Sequence, residues 1–180
     1  MINMTLQTER LLLRSFEDND AVAASYNSRQ PSVADAMSDM ILADEKAALE
    51  WIHWINSMTD LVLPWRILAI ELKKEKKCIG LIGVIPQRKI QGEVEILFSV
   101  VDEYQNKGYA TEAAKEVIKW FFDSRENAYL CAIVKNNNIP SQRVIEMLDF
   151  NYIEDREILY DNIPTMFKYY QLNLAVKALI

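Results

Sequence analysis

The spacing of apolar and polar residues changes character several times along the chain, and each change marks an element. Residues 8–14, Thr-Glu-Arg-Leu-Leu-Leu-Arg, read as a strand. The polar cluster Glu17-Asp18-Asn19-Asp20 then offers capping side chains for a helix running to about Asn27. Asp44 caps a second helix, in which Ala48, Trp51, Ile52 and Ile55 recur at i, i+3, i+4 and i+7 while Glu45, Lys46 and Glu50 stay outside. From Trp65 the period changes. Residues 65–72, 78–87 and 93–100 are three strands separated by short polar turns, the second carrying Gly92, and such short connections imply an antiparallel meander. Residues 111–122 return to helical period, with Ala114, Val117, Ile118 and Phe121 on one stripe, and residues 128–134 form a continuous apolar run. Strand, amphipathic helix and all-apolar strand predict a βαβ unit with parallel strands and a right-handed crossover. Pro140 suits the first turn of a further helix ending near Leu148, after which residues 152–160 and 165–174 form a final hairpin. No repeat or linker interrupts the pattern, so the fold class is α/β and residues 1–180 form a single domain.

Composition narrows the chemistry. With 180 residues, 51% of them hydrophobic, and a net charge of −6, the chain is expected to bury roughly 70% of its unfolded surface, which excludes global disorder. The longest apolar runs, such as residues 81–85, fall well short of the about 20 residues of a bilayer span. Met1-Ile2-Asn3-Met4-Thr5 has neither the basic nor the apolar region of a signal peptide, so a cytoplasmic location without membrane attachment is expected. Cys78 and Cys131 lie inside apolar strands and read as buried small hydrophobes rather than a disulfide. His53 is the only histidine, which removes two-histidine metalloprotease and Cys2His2 zinc sites, and no metal site is expected. Glycine occurs only at 80, 83, 92 and 108, so neither the dinucleotide fingerprint nor the Walker A loop is present. A sequence pI near 4.9 argues against nucleic acid, and the basic run Lys73-Lys74-Glu75-Lys76-Lys77 reads as a solvated hairpin tip.

The chemistry-bearing stretch is the strand 93–100, a short loop, and then Gln105-Asn106-Lys107-Gly108-Tyr109-Ala110 running into a helix. A loop that turns from a strand into a helix around small residues presents successive backbone N–H groups at the positive end of the helix dipole, an anion site suited to a pyrophosphate. Gly108 lets the backbone approach closely, and Ala110 keeps the next position small.

Gln-x-x-Gly-x-Ala after a strand ending Phe-x-Val resembles the acetyl-CoA pyrophosphate loop of the GCN5-related N-acetyltransferase (GNAT) superfamily. About thirty residues on, Asn138-Ile139-Pro140-Ser141, Val144 and Leu148-Asp149-Phe150 resemble the family's Asn-x-x-Ser segment ending in Leu-Gly-Phe. The opening residues 8–14 and Val94-Glu95-Ile96 resemble the branch containing the ribosomal-protein alanine and serine N-acetyltransferases. The resemblance spans about residues 5–172 and implies a mixed, centrally split sheet flanked by helices. It implies that the backbone of Phe98, Ser99 and Val100 binds the pantetheine arm of acetyl-CoA as an added strand. Gln105, Asn106, Lys107, Gly108, Tyr109, Ala110 and Thr111 hold the pyrophosphate, Asn138 contacts the pantetheine or orients the acetyl end, and Ser141 lies near the thioester sulfur. Two departures stand out. Asp149 replaces a common Gly and must accept a left-handed conformation or reshape the turn, and Ile145 stands where relatives place a proton-donating Tyr. Protonation of the leaving thiolate then falls to Ser141, Tyr152 or water.

Alternation along residues 93–100 puts Val94, Ile96, Phe98 and Val100 on one face and Glu93, Glu95, Leu97 and Ser99 on the other. Glu95 is therefore the candidate general base, acting through water, where the branch's matching position is usually Glu. The expected function is direct transfer of acetyl from acetyl-CoA to a primary amine, a ribosomal or other protein N-terminus or a small cationic amine, by a monomer or homodimer. Two alternatives of other classes are a non-catalytic acyl-CoA-binding or partner-binding module on the same fold, and a nucleic-acid-associated regulator using the basic tip. Residues 21–57 and 160–165 are expected to line the acceptor side, with Trp51, Trp54 and Tyr160 either there or in the core.

Overall fold

The computed structural model describes residues 5–58, 65–123, 125 and 128–173. Two short strands open the chain, β1 (Thr5–Gln7) and β2 (Leu11–Arg14), paired antiparallel. The single strand expected over 8–14 is thus corrected: Thr8 closes a tight turn, its N–H donating to the Leu11 carbonyl and its hydroxyl accepting from the Leu11 N–H. Helix α1 (Ala21–Ser28) follows a 3-10 turn at Asp18–Asp20 whose capping box joins Glu17 and Asp20. Helix α2 (Pro31–Ala36), which the pattern reading left out, starts on a proline. In α3 (Glu45–Ser57) the Asp44 carboxylate accepts from the Ala47 N–H at 2.8 Å, and Ala48, Ile52 and Ile55 are buried.

The meander follows as β3 (Arg66–Leu72), β4 (Lys77–Gln87) and β5 (Glu93–Val100), and the crossover helix α4 (Tyr109–Asp123) leads to β6 (Leu130–Lys135). Helix α5 (Ile139–Met147) and the hairpin β7 (Asn151–Tyr160) and β8 (Ile163–Leu172) complete the described chain, while expected strand residue 174 lies outside it. The hairpin turns through Asp161 and Asn162, both with positive φ. The order β1-β2-β3-β4-β5-β6-β8-β7 is antiparallel except at β5–β6, which is parallel and paired only at Glu95 and Cys131. Beyond that rung the two strands part, and the sheet is split at its centre.

Apolar side chains divide between its faces as the alternation predicts. Ile96 and Val100 pack under Ala113, Ala114, Val117 and Phe121 of α4, forming the larger core, which also takes in Ile145 and Phe150. On the opposite face Ile67, Ala69 and Cys78 pack against α1 and α3, and beside them Ile90, Cys131, Tyr160, Phe167 and Tyr169 form a third cluster. Both cysteines are free and buried. His53 sits on the surface against Asp18. Among the described residues no helix is long and apolar enough to cross a membrane, and no three His, Cys, Asp or Glu side chains converge as a metal-binding group.

Candidate active site

A cavity of about 370 Å³ opens where β5 and β6 diverge. Its first wall is the end of β5. The Val101 N–H donates to the Ile79 carbonyl, so by ladder alternation the main-chain groups of Phe98 and Val100 point away from β4 into the gap. Phe98, Ser99 and Val100 all line the cavity. The Val100 carbonyl is taken by the Gln105 amide at 2.8 Å, which leaves the Phe98 main chain facing the gap as an unpaired strand edge.

The second wall is the loop into α4. Asn106 (φ 58) and Gly108 (φ 79) both adopt left-handed conformations, folding consecutive N–H groups into a concave nest. The first turn of α4 adds the N–H groups of Tyr109, Ala110 and Thr111, which precede any intrahelical acceptor; the Glu112 N–H is the one that reaches back to Gly108. Arg10 clamps this loop. Its guanidinium bonds the Lys107 carbonyl at 3.0 Å and the Glu112 carboxylate at 2.6 Å, and lies 4.4 Å from the Tyr109 ring centroid.

Sequence reasoning placed Gln105, Asn106, Gly108, Tyr109, Ala110 and Thr111 here, and each lines the cavity. Two assignments in the expected stretch 105–111 take a different form, Gln105 and Lys107. The Gln105 side chain is turned to Val100, Ser32 and Asp102, so it braces the loop from within. Lys107 is not a wall residue, since its ammonium turns back to the Glu103 carbonyl and lies over the Tyr104 ring.

The third wall is the start of α5. Asn138 and Ser141 line it, but the Asn138 oxygen caps the helix by accepting from the Ser141 N–H, leaving the amide NH2 for other partners. The buried Gln142 amide donates to the carbonyls of Lys135 and Asn136 and fixes the approach from β6. Asp149 stands at φ 64, so the chain accepts a left-handed Asp where the family commonly has Gly. Ile145 is fully buried core, and Tyr152 lies outside the cavity, its ring on Tyr170 and its hydroxyl on Asp155. Of the three proton sources considered from sequence, Tyr152 is removed from the site by its position.

Residues 31–40 roof the gap, inside the segment 21–57 expected on the acceptor side; the pattern reading missed only their helix, for which the Gln30-Pro31 step was the available signal. Ser32, Val33 and Ala36 line the cavity. One side of the roof is tied by Ser32 to Asp102. The other is tied by Asp39 to Lys89 (2.6 Å) and to the Tyr160 hydroxyl (2.6 Å), and by Ser38 to Asp161. Tyr160 is therefore a buried structural member, its phenol pushed up to about 12 by burial and by the Asp39 bond. Trp51 packs edge-on against Phe16, and Trp54 is exposed beside Trp65. Tyr104, Arg143 and Met147 also line the cavity without having been singled out from the sequence.

Glu95 sits at the apex of the split. It is 7% exposed, its side chain accepts from the Gln87 amide at 2.7 Å, and burial pushes its carboxyl up to about 7. Glu95 is not a cavity-wall residue, because about 10 Å of strand separate it from Phe98. Glu93, one pleat away on the same face, is engaged by Arg156 and by the Tyr169 hydroxyl.

The model of the acetyltransferase (GNAT) domain family matches residues 10–151. The uncharacterised N-acetyltransferase p20 of Bacillus licheniformis is 30% identical over 148 residues, spanning 81% of this chain and 82% of that protein. Among solved structures, a GNAT-family acetyltransferase from Bacillus anthracis superposes with a TM-score of 0.78 at 23% identity, covering 94% of this chain and 98% of its own. A ribosomal-protein-S5-alanine acetyltransferase from Vibrio fischeri superposes at 0.72 and 17% identity, covering 94% and 96%. Both have the fold described above.

Proposed function

Because this chain belongs to the acetyltransferase (GNAT) family, and is an acetyl-CoA-dependent N-acetyltransferase, we propose that it transfers acetyl directly to a primary amine, with Glu95 as the general base. The observation that carries this reading is the pairing of two features across one gap: a main-chain anion nest at residues 106–111 and a buried carboxyl at the apex where β5 and β6 part.

The residues suit acetyl-CoA as co-substrate. The nest N–H groups and the α4 dipole favour a pyrophosphate, the free main chain of Phe98 suits the amides of a pantetheine arm, and Asn138 and Ser141 stand opposite on α5. An acceptor amine arrives protonated at neutral pH and must lose its proton before attack. A carboxyl poised near 7 is matched to that task, and its distance along the strand calls for a water between it and the amine. The uncharged amine then attacks the thioester carbon, a backbone N–H stabilises the oxyanion, and the departing thiolate is protonated by Ser141 or water. No acyl-enzyme is involved, since burial pushes the Cys78 thiol up to about 12 and the Cys131 thiol higher still.

The acceptor class is a protein N-terminus or small cationic amine. Support comes from the acidic balance of the chain and from the fold shared with the Vibrio fischeri ribosomal-protein acetyltransferase; the location consistent with such acceptors is the cytoplasm. The test is release of CoA thiol from acetyl-CoA with peptide N-termini and polyamines, comparing wild type with Glu95→Gln. A fall of about 10²–10⁴-fold is expected, with CoA binding retained. Activity within about threefold of wild type would remove Glu95 from the chemistry, and CoA binding without turnover of any amine would favour a non-catalytic acyl-CoA-binding module.

A further inference from the structure

The end of β4 carries a polar side chain with two partners, and its orientation is decided by the second. Gln87 pairs across the ladder with Glu93, so Glu95 is its diagonal neighbour on the same face. The chain then enters a 3-10 turn, Arg88–Ile90, whose Lys89 N–H is answered by the Gln87 side-chain oxygen at 3.2 Å. A backbone N–H can bond only the oxygen end of an amide, so the Gln87 NH2 must face the other way. It donates to Glu95 Oε2 at 2.7 Å.

We propose that Gln87 is a positioning residue for the general base: a donor held by its own turn, which fixes the Glu95 carboxylate at the apex of the split and favours its charged form. The inference rests on the assignment of Glu95 as base. A donor that cannot reverse into an acceptor stabilises carboxylate over carboxylic acid. A fixed donor on one carboxylate oxygen also narrows its choice of rotamer, which is what a proton acceptor aimed at a bound amine needs.

Other charged and titratable groups around Glu95 do not replace this bond. Lys89 is paired with Asp39, and Asp39 also takes the Tyr160 hydroxyl. Glu93 is held by Arg156 and Tyr169, and the Cys131 thiol donates to the Val94 carbonyl. Lys89 and Asp39 act on Glu95 in opposite directions, whereas the Gln87 bond is direct.

The test is a carboxyl NMR titration of the full chain labelled at glutamate Cδ, with the Glu95 signal identified by its loss in Glu95→Gln. Gln87→Met removes the donor at nearly constant shape. Its Glu95 midpoint should move up by about one pH unit, a tenfold change in ionisation at fixed pH, while the melting shift produced by CoA stays as in wild type. If Gln87→Met does not fold, Gln87→Glu keeps the site polar and should also raise the midpoint, through like charge. An unmoved midpoint in the variant that folds overturns the proposal. Turnover of Glu95→Gln distinguishes the two failures: undiminished activity there removes the base assignment, whereas lost activity with an unmoved Gln87→Met midpoint removes only the role of Gln87.

Discussion

Glu95 and Cys131 form the single parallel rung between β5 and β6, so the Glu95 carboxyl stands at the point where the ladder ends. Parting the strands opens the cavity, and the residue at the last rung is the one proposed to accept the proton. One local feature of the sheet thus accounts for both the space and the chemistry.

The anion nest makes the first prediction. Gly108 sits at φ 79, and an added Cβ there would meet the Arg10 guanidinium at 3.4 Å, an ordinary contact, so the site resists side chains chiefly through backbone conformation and charge. CoA at a hundredfold excess over Kd should stabilise wild type by about 2.7 kcal/mol. Gly108→Glu should abolish that gain by placing a carboxylate in the nest, with only about 1–2 kcal/mol lost from the free protein. Thermal melts with and without CoA read both numbers; a normal CoA shift in Gly108→Glu would relocate the phosphate site.

How much of this was legible in the sequence differs from element to element. The β4–β5 hairpin, α4 and the alternation that turns Glu95 from the α4 core are local properties of spacing, and they read correctly. At Asp149 the sequence left two outcomes open, and the left-handed one is adopted. Residues 31–40 fell within the segment expected on the acceptor side, but their helix and anchoring did not read, because only Val33 of α2 is buried and the ties to Asp102, Lys89 and Asp161 are polar contacts across long stretches of sequence. Gln87 was invisible for the same reason. Its partner choice depends on a 3-10 turn with no apolar period of its own.

The clamp on the loop makes the second prediction. Arg10→Met would remove the side-chain bonds to the Lys107 carbonyl and to Glu112, and with them the guanidinium's contact with the Tyr109 ring, at a similar side-chain length. Arg10 is itself partly exposed, so the stability cost should stay within about 1 kcal/mol. The loop should lose definition, and the Kd for CoA should rise by about tenfold with the maximal rate little changed. Titration calorimetry with CoA checks the first, and initial rates at saturating acetyl-CoA the second. An unchanged Kd would show that the nest holds its shape unaided.

The close approach of β4 to β5 makes the third. A Cβ added at Gly80 would lie 2.0 Å from the Ser99 carbonyl oxygen and 3.0 Å from Val100 Cα, both backbone atoms that cannot step aside without moving β5. Gly80→Ala should cost about 1–3 kcal/mol. It should also weaken CoA binding, since the displaced residues form the cavity wall, whereas cavity-distant changes of equal cost should not. Urea unfolding paired with CoA titration checks this, and a Gly80→Ala protein with unaltered stability would mean that the two strands are held further apart.

The last prediction concerns the stability cost of keeping Glu95 buried. Its carboxyl is pushed up to about 7 from an ordinary 4.5, with burial as the largest cause. A carboxyl raised in the folded state binds its proton more tightly there than in the unfolded chain. Its contribution to stability is therefore greatest below the unfolded value and is lost as pH rises through about 7. Glu95→Gln removes the titration. Relative to wild type, the mutant should gain about 2 kcal/mol of stability between pH 5.5 and pH 8, following one proton across about 1.5 pH units. The absolute difference at any one pH also contains the altered hydrogen bond, because the carboxylate that accepts from Gln87 becomes an amide. The change with pH is free of that offset. Urea unfolding of both proteins at the two pH values measures it directly. A difference that stays constant would mean that the carboxylate is solvated well enough to titrate like an exposed one, and the matching of Glu95 to a proton acceptor near neutral pH would go with it.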